Sequence, residues 1–148
     1  MKKAIGAAGV LAALIAGMIA FFWPMPLSEI AGEGARIEIA WSEWGVRDGE
    51  PYMDSRSASV ADGEPKRDVL ERLAKYRYRR TFATPFSVGS ISGMGDRMLS
   101  IYVYEGDSLT NSALITSSGK IAVNDRCYRM DDANPMIDEL IALLDAAN

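Results

Sequence analysis

The chain has 148 residues and not one histidine. Serine or cysteine nucleophiles are most often activated by an imidazole base, so Ser/His and Cys/His catalysis is excluded. Zinc and other transition-metal sites draw on histidine and on several thiolates. Here the only thiol is Cys127, which also rules out an intrachain disulfide. Cys127 lies in the apolar-patterned run 126–130, and a buried free thiol is expected. A basic excess is missing too: 16 Lys+Arg stand against 20 Asp+Glu, a formal charge of −4. Without Lys2 and Lys3 the remainder carries −6. That balance argues against nucleic acid, which needs a basic footprint, and against tight docking on an anionic membrane surface.

Long apolar runs are rare as well, with one exception. Ala4–Trp23 is free of charge and follows Lys2 and Lys3. Twenty helical residues reach about 30 Å, a bilayer's hydrocarbon thickness. Flanking lysines stay inside, so a single-pass membrane anchor is expected, with the N-terminus inside and the C-terminal domain outside. The run also fits a secretory signal, in which case the domain is secreted. However, cutting after Ala20 puts Met18 at the −3 position, where a small residue is needed. Ala8, Ala12, Ala16 and Ala20 recur every four residues and could let membrane helices associate.

The rest reads as a linker over 24–35 and one exported domain over 36–148. Ile37, Ile39 and Trp41 alternate with polar residues, the signature of a half-buried strand. Residues 45–51 read as a turn-rich loop, and 52–60 as a weak strand pairing back. Pro65 opens a helix expected to run to Arg79, and 81–96 reads as an irregular crossing. Met98–Glu105 carries apolar or aromatic residues on both faces and reads as a central strand. Segments 111–116, 120–123 and 126–130, joined by tight turns, complete an antiparallel meander. Asn134-Pro135 opens a final helix with an apolar Ile137, Leu140, Ile141 and Leu144 face. The expected class is α+β: an N-terminal transmembrane helix, then a small domain with an antiparallel meander sheet and two amphipathic helices.

The series Ile115, Gly119, Ile121, Val123, Asn124 and Tyr128, followed by Leu140 to Leu144, resembles small membrane-anchored exported proteins of Gram-positive bacteria. These are grouped as domains of unknown function. The resemblance covers residues 36–148 and implies no activity.

Several chemistries are weighed and set aside. A Ser–Lys dyad would need Lys66, Lys75 or Lys120 beside a serine such as Ser90, Ser92, Ser100, Ser117 or Ser118. No spacing suggests it, and turn serines are the ordinary reading. Paired carboxylates (Glu43, Glu50, Asp54, Glu105) suit glycoside hydrolysis, but solvated acids are commoner. Gly89, Gly93 and Gly95 lack the Lys-Ser/Thr of a phosphate loop. Asp131, Asp132 and Asn134 read as a helix start rather than a calcium site. No cofactor and no metal is expected.

Two features point to binding instead. Tyr76, Arg77, Tyr78, Arg79 and Arg80 interleave guanidinium with phenol, which suits stacking on anionic ligands such as cell-wall polymers. Trp44 ends the first strand, beyond the core-facing Trp41, and tryptophan is favoured at recognition surfaces. The function expected is a membrane-tethered, non-catalytic extracytoplasmic domain that binds a ligand or partner protein. The alternative is an accessory subunit that joins a membrane complex through its helix.

Overall fold

A computed structural model describes the chain except residues 1, 32–34, 88, 90, 92–94 and 148, and except the side chains of 2–8 and 147. Gly93, Ser90 and Ser92 therefore lie outside the described residues, as does the side chain of Ala8.

The first helix, α1 (Lys2–Phe21), leads into a two-residue strand, β1 (Met25–Pro26), and a 3₁₀ turn over Leu27–Ile30. The stretch after α1 is built into the domain. Leu27 and Ile30, three apart, reach the core from one side of that turn, and Leu27 N–H donates to the Tyr76 carbonyl. Next come β2 (Arg36–Arg47), β3 (Glu50–Val60), α2 (Glu64–Lys75), β4 (Arg77–Arg79) and a 3₁₀ turn at Thr84–Phe86. The meander β5 (Met98–Glu105), β6 (Ser108–Thr116), β7 (Lys120–Val123) and β8 (Arg126–Met130) precedes α3 (Ala133–Ala147).

The expected fold class needs correcting in two respects. No helix among the described residues is long and apolar enough to cross a membrane. The sheet, moreover, is one curled antiparallel sheet of eight strands in the order β1-β4-β8-β7-β6-β5-β2-β3, accompanied by three helices. Only β5 to β8 form a meander, while a mixed helix and strand composition holds.

The extra strands have local causes. After Lys75 the pattern changes from helical to alternating. Tyr76 N–H closes α2 on the Leu73 carbonyl, and Tyr78 turns inward between exposed Arg77 and Arg79. Thus the helix expected to reach Arg79 stops at Lys75. The first hairpin is longer than expected because Asp48 and Gly49 both adopt positive φ, 54° and 84°. Such a two-residue turn matches the twist of a tight hairpin, so strand continues through Gly45 and Arg47.

The core occupies one sheet face. Ile37, Ile39, Leu99, Ile101, Val103, Ile115 and Ile121 project towards Val69 and Leu73 of α2 and Met136, Ile137 and Leu140 of α3. β5 lies between β2 and β6, consistent with its two-faced apolar pattern. Among the described residues, Lys66 is the one lysine buried with this core. Its ammonium is held by the Ala35 carbonyl and by Asp62 at 3.2 Å.

Candidate functional site: a projecting hairpin arm

β2 pairs with β5 only as far as Ser42↔Met98, yet it stays paired with β3 to Arg47↔Glu50. The hairpin therefore runs past the sheet as a free arm. Its two faces differ. Opposed residues in an antiparallel pair share a face, which puts Trp44, Val46, Pro51 and Met53 together. Trp44 is 44 % exposed, Met53 51 % and Val46 73 %. The other face carries Gly45, Arg47, Glu50 and Tyr52. The Tyr52 ring lies over Gly45 so closely that a Cβ there would collide with it, and the Arg47 guanidinium stacks on the ring at 4.7 Å. That stack stiffens the arm behind the apolar patch.

The arm's root is fixed by Arg97. Its Nη2 meets Glu43 Oε1 at 2.7 Å and its Nη1 meets Asp138 Oδ1 at 2.6 Å. The second contact ties β2 to α3. Burial acts to lower the Arg97 pKa, but the Asp138 and Glu43 carboxylates outweigh it and hold the guanidinium above its usual value.

The structure does not gather the Tyr76–Arg80 series into one surface. Tyr78 is buried, edge-on to Tyr128 at 5.1 Å. Burial first, then Tyr128, pushes its phenol up to about 12. Tyr76 is half-buried, and its pKa is raised by burial and by its hydrogen bond to Glu139. Arg72 donates to that carboxylate at 3.0 Å and is the main reason its pKa is lowered. Arg79 pairs with Asp131 at 3.0 Å. Arg80 turns towards α1, where it donates to the Phe21 carbonyl and lies 5.7 Å from that ring. Only Arg77 is simply exposed. The interleaving reflects the period of a strand, in which alternate residues face opposite ways.

Of the other candidates, Ala12, Ala16 and Ala20 are exposed along α1, with nothing packed against Gly17. Glu43 is taken up by Arg97, and Asp54 by Arg56 at 3.1 Å. Ser118 donates to Asp96 and Ser117 receives the Arg97 N–H. Cys127 is free and half-buried. Among the described residues no group of three or more His, Cys, Asp or Glu could hold a metal ion.

Sequence reasoning missed Val46, Pro51 and Met53. The signal was present: Asp48-Gly49 is a tight-turn dipeptide, and counting outward from it sets Trp44 opposite Met53. It also missed Phe82 and Phe86, 79 % and 87 % exposed around the second 3₁₀ turn. An open groove of 510 Å³ between β3, α2 and α3 is lined mainly by apolar residues such as Ala58, Val60, Val69 and Leu143, with Ser59, Glu64 and Asp68 as its polar side chains.

Comparison with protein-family models, with curated proteins and with solved structures finds no match.

Proposed function

We propose that the protein is a membrane-held, non-catalytic binding domain that recognises a partner protein at the cell surface through its hairpin arm. The observation carrying this reading is the Trp44, Met53, Val46 and Pro51 patch, apolar and exposed on a stiffened arm that no other described element covers. Recognition surfaces concentrate energy in a few aromatic and large apolar side chains. A hairpin held out from the sheet presents them at low ordering cost. The apolar α1, with Val10, Leu11, Leu14, Ile15, Met18 and Ile19 all exposed, supports the membrane attachment.

The test places a photo-crosslinking residue at Val46 in the full chain, in cells, and identifies what is captured. Trp44→Ala with Met53→Ala should lower capture at least tenfold. The thermal midpoint should move by only about 2 °C, because both side chains are partly in solvent. Undiminished capture by that folded variant would remove the arm from recognition. Assembly through α1 is the second reading, favoured by the open Ala12, Ala16 and Ala20 row. In that case Ala12→Leu with Ala16→Leu abolishes association and the arm variant leaves it intact.

A further inference from the structure

We infer that the Thr81–Ser87 loop is a second membrane contact, which seats the domain on an anionic bilayer surface beside α1. This rests on the reading that α1 lies in lipid. Among the described residues, Phe82 and Phe86 are the most exposed large apolar side chains of the globular domain. They are not loose. Between them Thr84 is buried: its hydroxyl receives the Thr81 N–H at 2.7 Å and donates to the Cys127 carbonyl at 2.7 Å. The Ser87 hydroxyl donates to the Thr84 carbonyl at 3.0 Å and receives the Cys127 N–H at 2.9 Å. Phe86 N–H closes the turn on Ala83 at 3.0 Å. The loop is pinned to the edge of β8 by its hydroxyls, and that pinning holds the two rings outward.

The surface they extend is apolar and continuous with α1. The Phe82 ring meets Phe22 edge-on at 4.8 Å, Phe22 meets Phe21 at 5.0 Å, and Trp23 beside them is exposed. Tryptophan favours the headgroup level of a bilayer, and phenylalanine lies on the apolar face of segments that sit at the headgroup and acyl boundary. Cations accompany them. Arg80 lies against Phe21, and Arg126 shares a shallow groove with Phe86, Pro85 and Asp125. Among the described residues neither arginine has a carboxylate partner, whereas Arg72, Arg79 and Arg97 do. Exposed phenylalanines flanked by two unpaired guanidiniums complement acyl chains under anionic headgroups. The formal charge of −6 is a sum over residues 4–148 and does not describe this corner, where Arg80 and Arg126 stand with Asp125. The proposal departs at this one place from the sequence-based expectation that the domain avoids an anionic surface.

The experiment uses the full chain, one copy per lipid nanodisc, with Cys127→Ser and a nitroxide at Ala83→Cys, Leu14→Cys or Asp107→Cys. Depth is read from collisions with oxygen and with a polar nickel complex. In discs containing phosphatidylglycerol, the labels at 83 and 14 should contact lipid, and the label at 107 should stay aqueous. Phe86→Ser should lower the lipid-contacting fraction at 83 about tenfold relative to the aqueous one. Arg126→Gln should lower it about fivefold, and phosphatidylcholine alone should lower it further. An aqueous label at 83 with position 14 in lipid overturns the docking and leaves the α1 reading standing. Aqueous labels at both positions overturn both. Contact unchanged by phosphatidylcholine removes the headgroup role of the arginines. Shielding that appears only with two copies per disc assigns the rings to a second copy and overturns the lipid contact.

Discussion

Arg97→Met should loosen the arm's root by an amount that the geometry bounds. Arg97 sits where β2 leaves β5, and its Nε and Nη2 both approach Glu43 Oε1, at 2.8 and 2.7 Å. Nη1 donates to Asp138 at 2.6 Å and to Asn134 at 3.3 Å. Methionine keeps most of the packed stem and deletes the charge. Both carboxylates are substantially solvated, so each pair contributes about 0.2–1 kcal/mol, well below the 3–5 kcal/mol of breaking a buried pair. Two pairs and one neutral acceptor give a total loss of about 1–2 kcal/mol. Urea unfolding of the full chain in mild detergent measures it, with the m-value unchanged. At 1 M NaCl the Debye length shrinks to about 3 Å, and the difference should fall by half or more. Asp138→Asn in a double-mutant cycle should recover about 0.5–1 kcal/mol of coupling. A loss under about 0.3 kcal/mol would show that Arg97 does not fix the arm. One above about 3 kcal/mol, insensitive to salt, would show a buried pair and refute the solvation argument.

Two further outcomes follow from burial and backbone shape. Gly119 has φ +86°, and a Cβ there would strike the Met130 carbonyl oxygen, whereas Gly106, at φ +61°, has open space around it. Gly106→Ala should cost about 1 kcal/mol of left-handed strain, while Gly119→Ala adds the collision, reaching about 2–4 kcal/mol in the same urea assay; equal losses would show that the hairpin gives way freely. Tyr78 titrates near 12 in the fold against 10.0 in the open chain, because burial disfavours its charged form. The folded state holds that proton more tightly, so the stabilisation is complete below pH 10 and is lost between pH 10 and 12, at up to about 1.4 kcal/mol per pH unit. Tyr78→Phe should flatten that limb, and an unchanged slope would assign the alkaline loss to other groups.

The legible parts of the fold are those where one physical signal dominates. Ile37, Ile39 and Trp41 alternate cleanly and form the core face of β2, while Leu99, Ile101 and Val103 do the same in β5. Asn124-Asp125 and Asp48-Gly49 announce tight turns, and both adopt the positive φ that their side chains tolerate. What was not legible depends on partners distant in sequence. β4 is three residues long, and nothing local makes it a strand. It exists because Met130 and Arg129 of β8 lie on one side and Met25 and Pro26 on the other. Basic residues near the end of a helix look like charge complementing its dipole, and that local signal masked a tertiary one. The site divided similarly. Trp44 was visible because a tryptophan beyond the core register needs explaining. Phe82 and Phe86 were not, because proline and glycine around them signal irregularity without saying which way a ring points.

The order of strands turns these local features into a division of labour. α1 enters at the β1 and β4 edge, where Arg80 and Phe82 meet its end. The arm belongs to β2 and β3, at the opposite edge of the same sheet. Seven interstrand steps separate β3 from β1 around the curled sheet, and residues 43–47 carry the arm about 17 Å beyond β5. A hairpin at the β7–β8 turn could not reach that far, since those strands have only four and five residues. The long first hairpin is therefore placed where length is useful: at the edge farthest from the apolar helix, with no further strand to limit it. In the proposed arrangement the sheet is the spacer that keeps the Trp44 patch clear of the lipid that the Phe82 and Phe86 rings enter. Among the described residues the two ends share no residue and no ion pair, so substitutions at Trp44 and at Phe86 should combine additively in binding and in docking. An interaction between them beyond about 0.5 kcal/mol would mean that the arm folds back onto the membrane surface, and the spacer argument would fail.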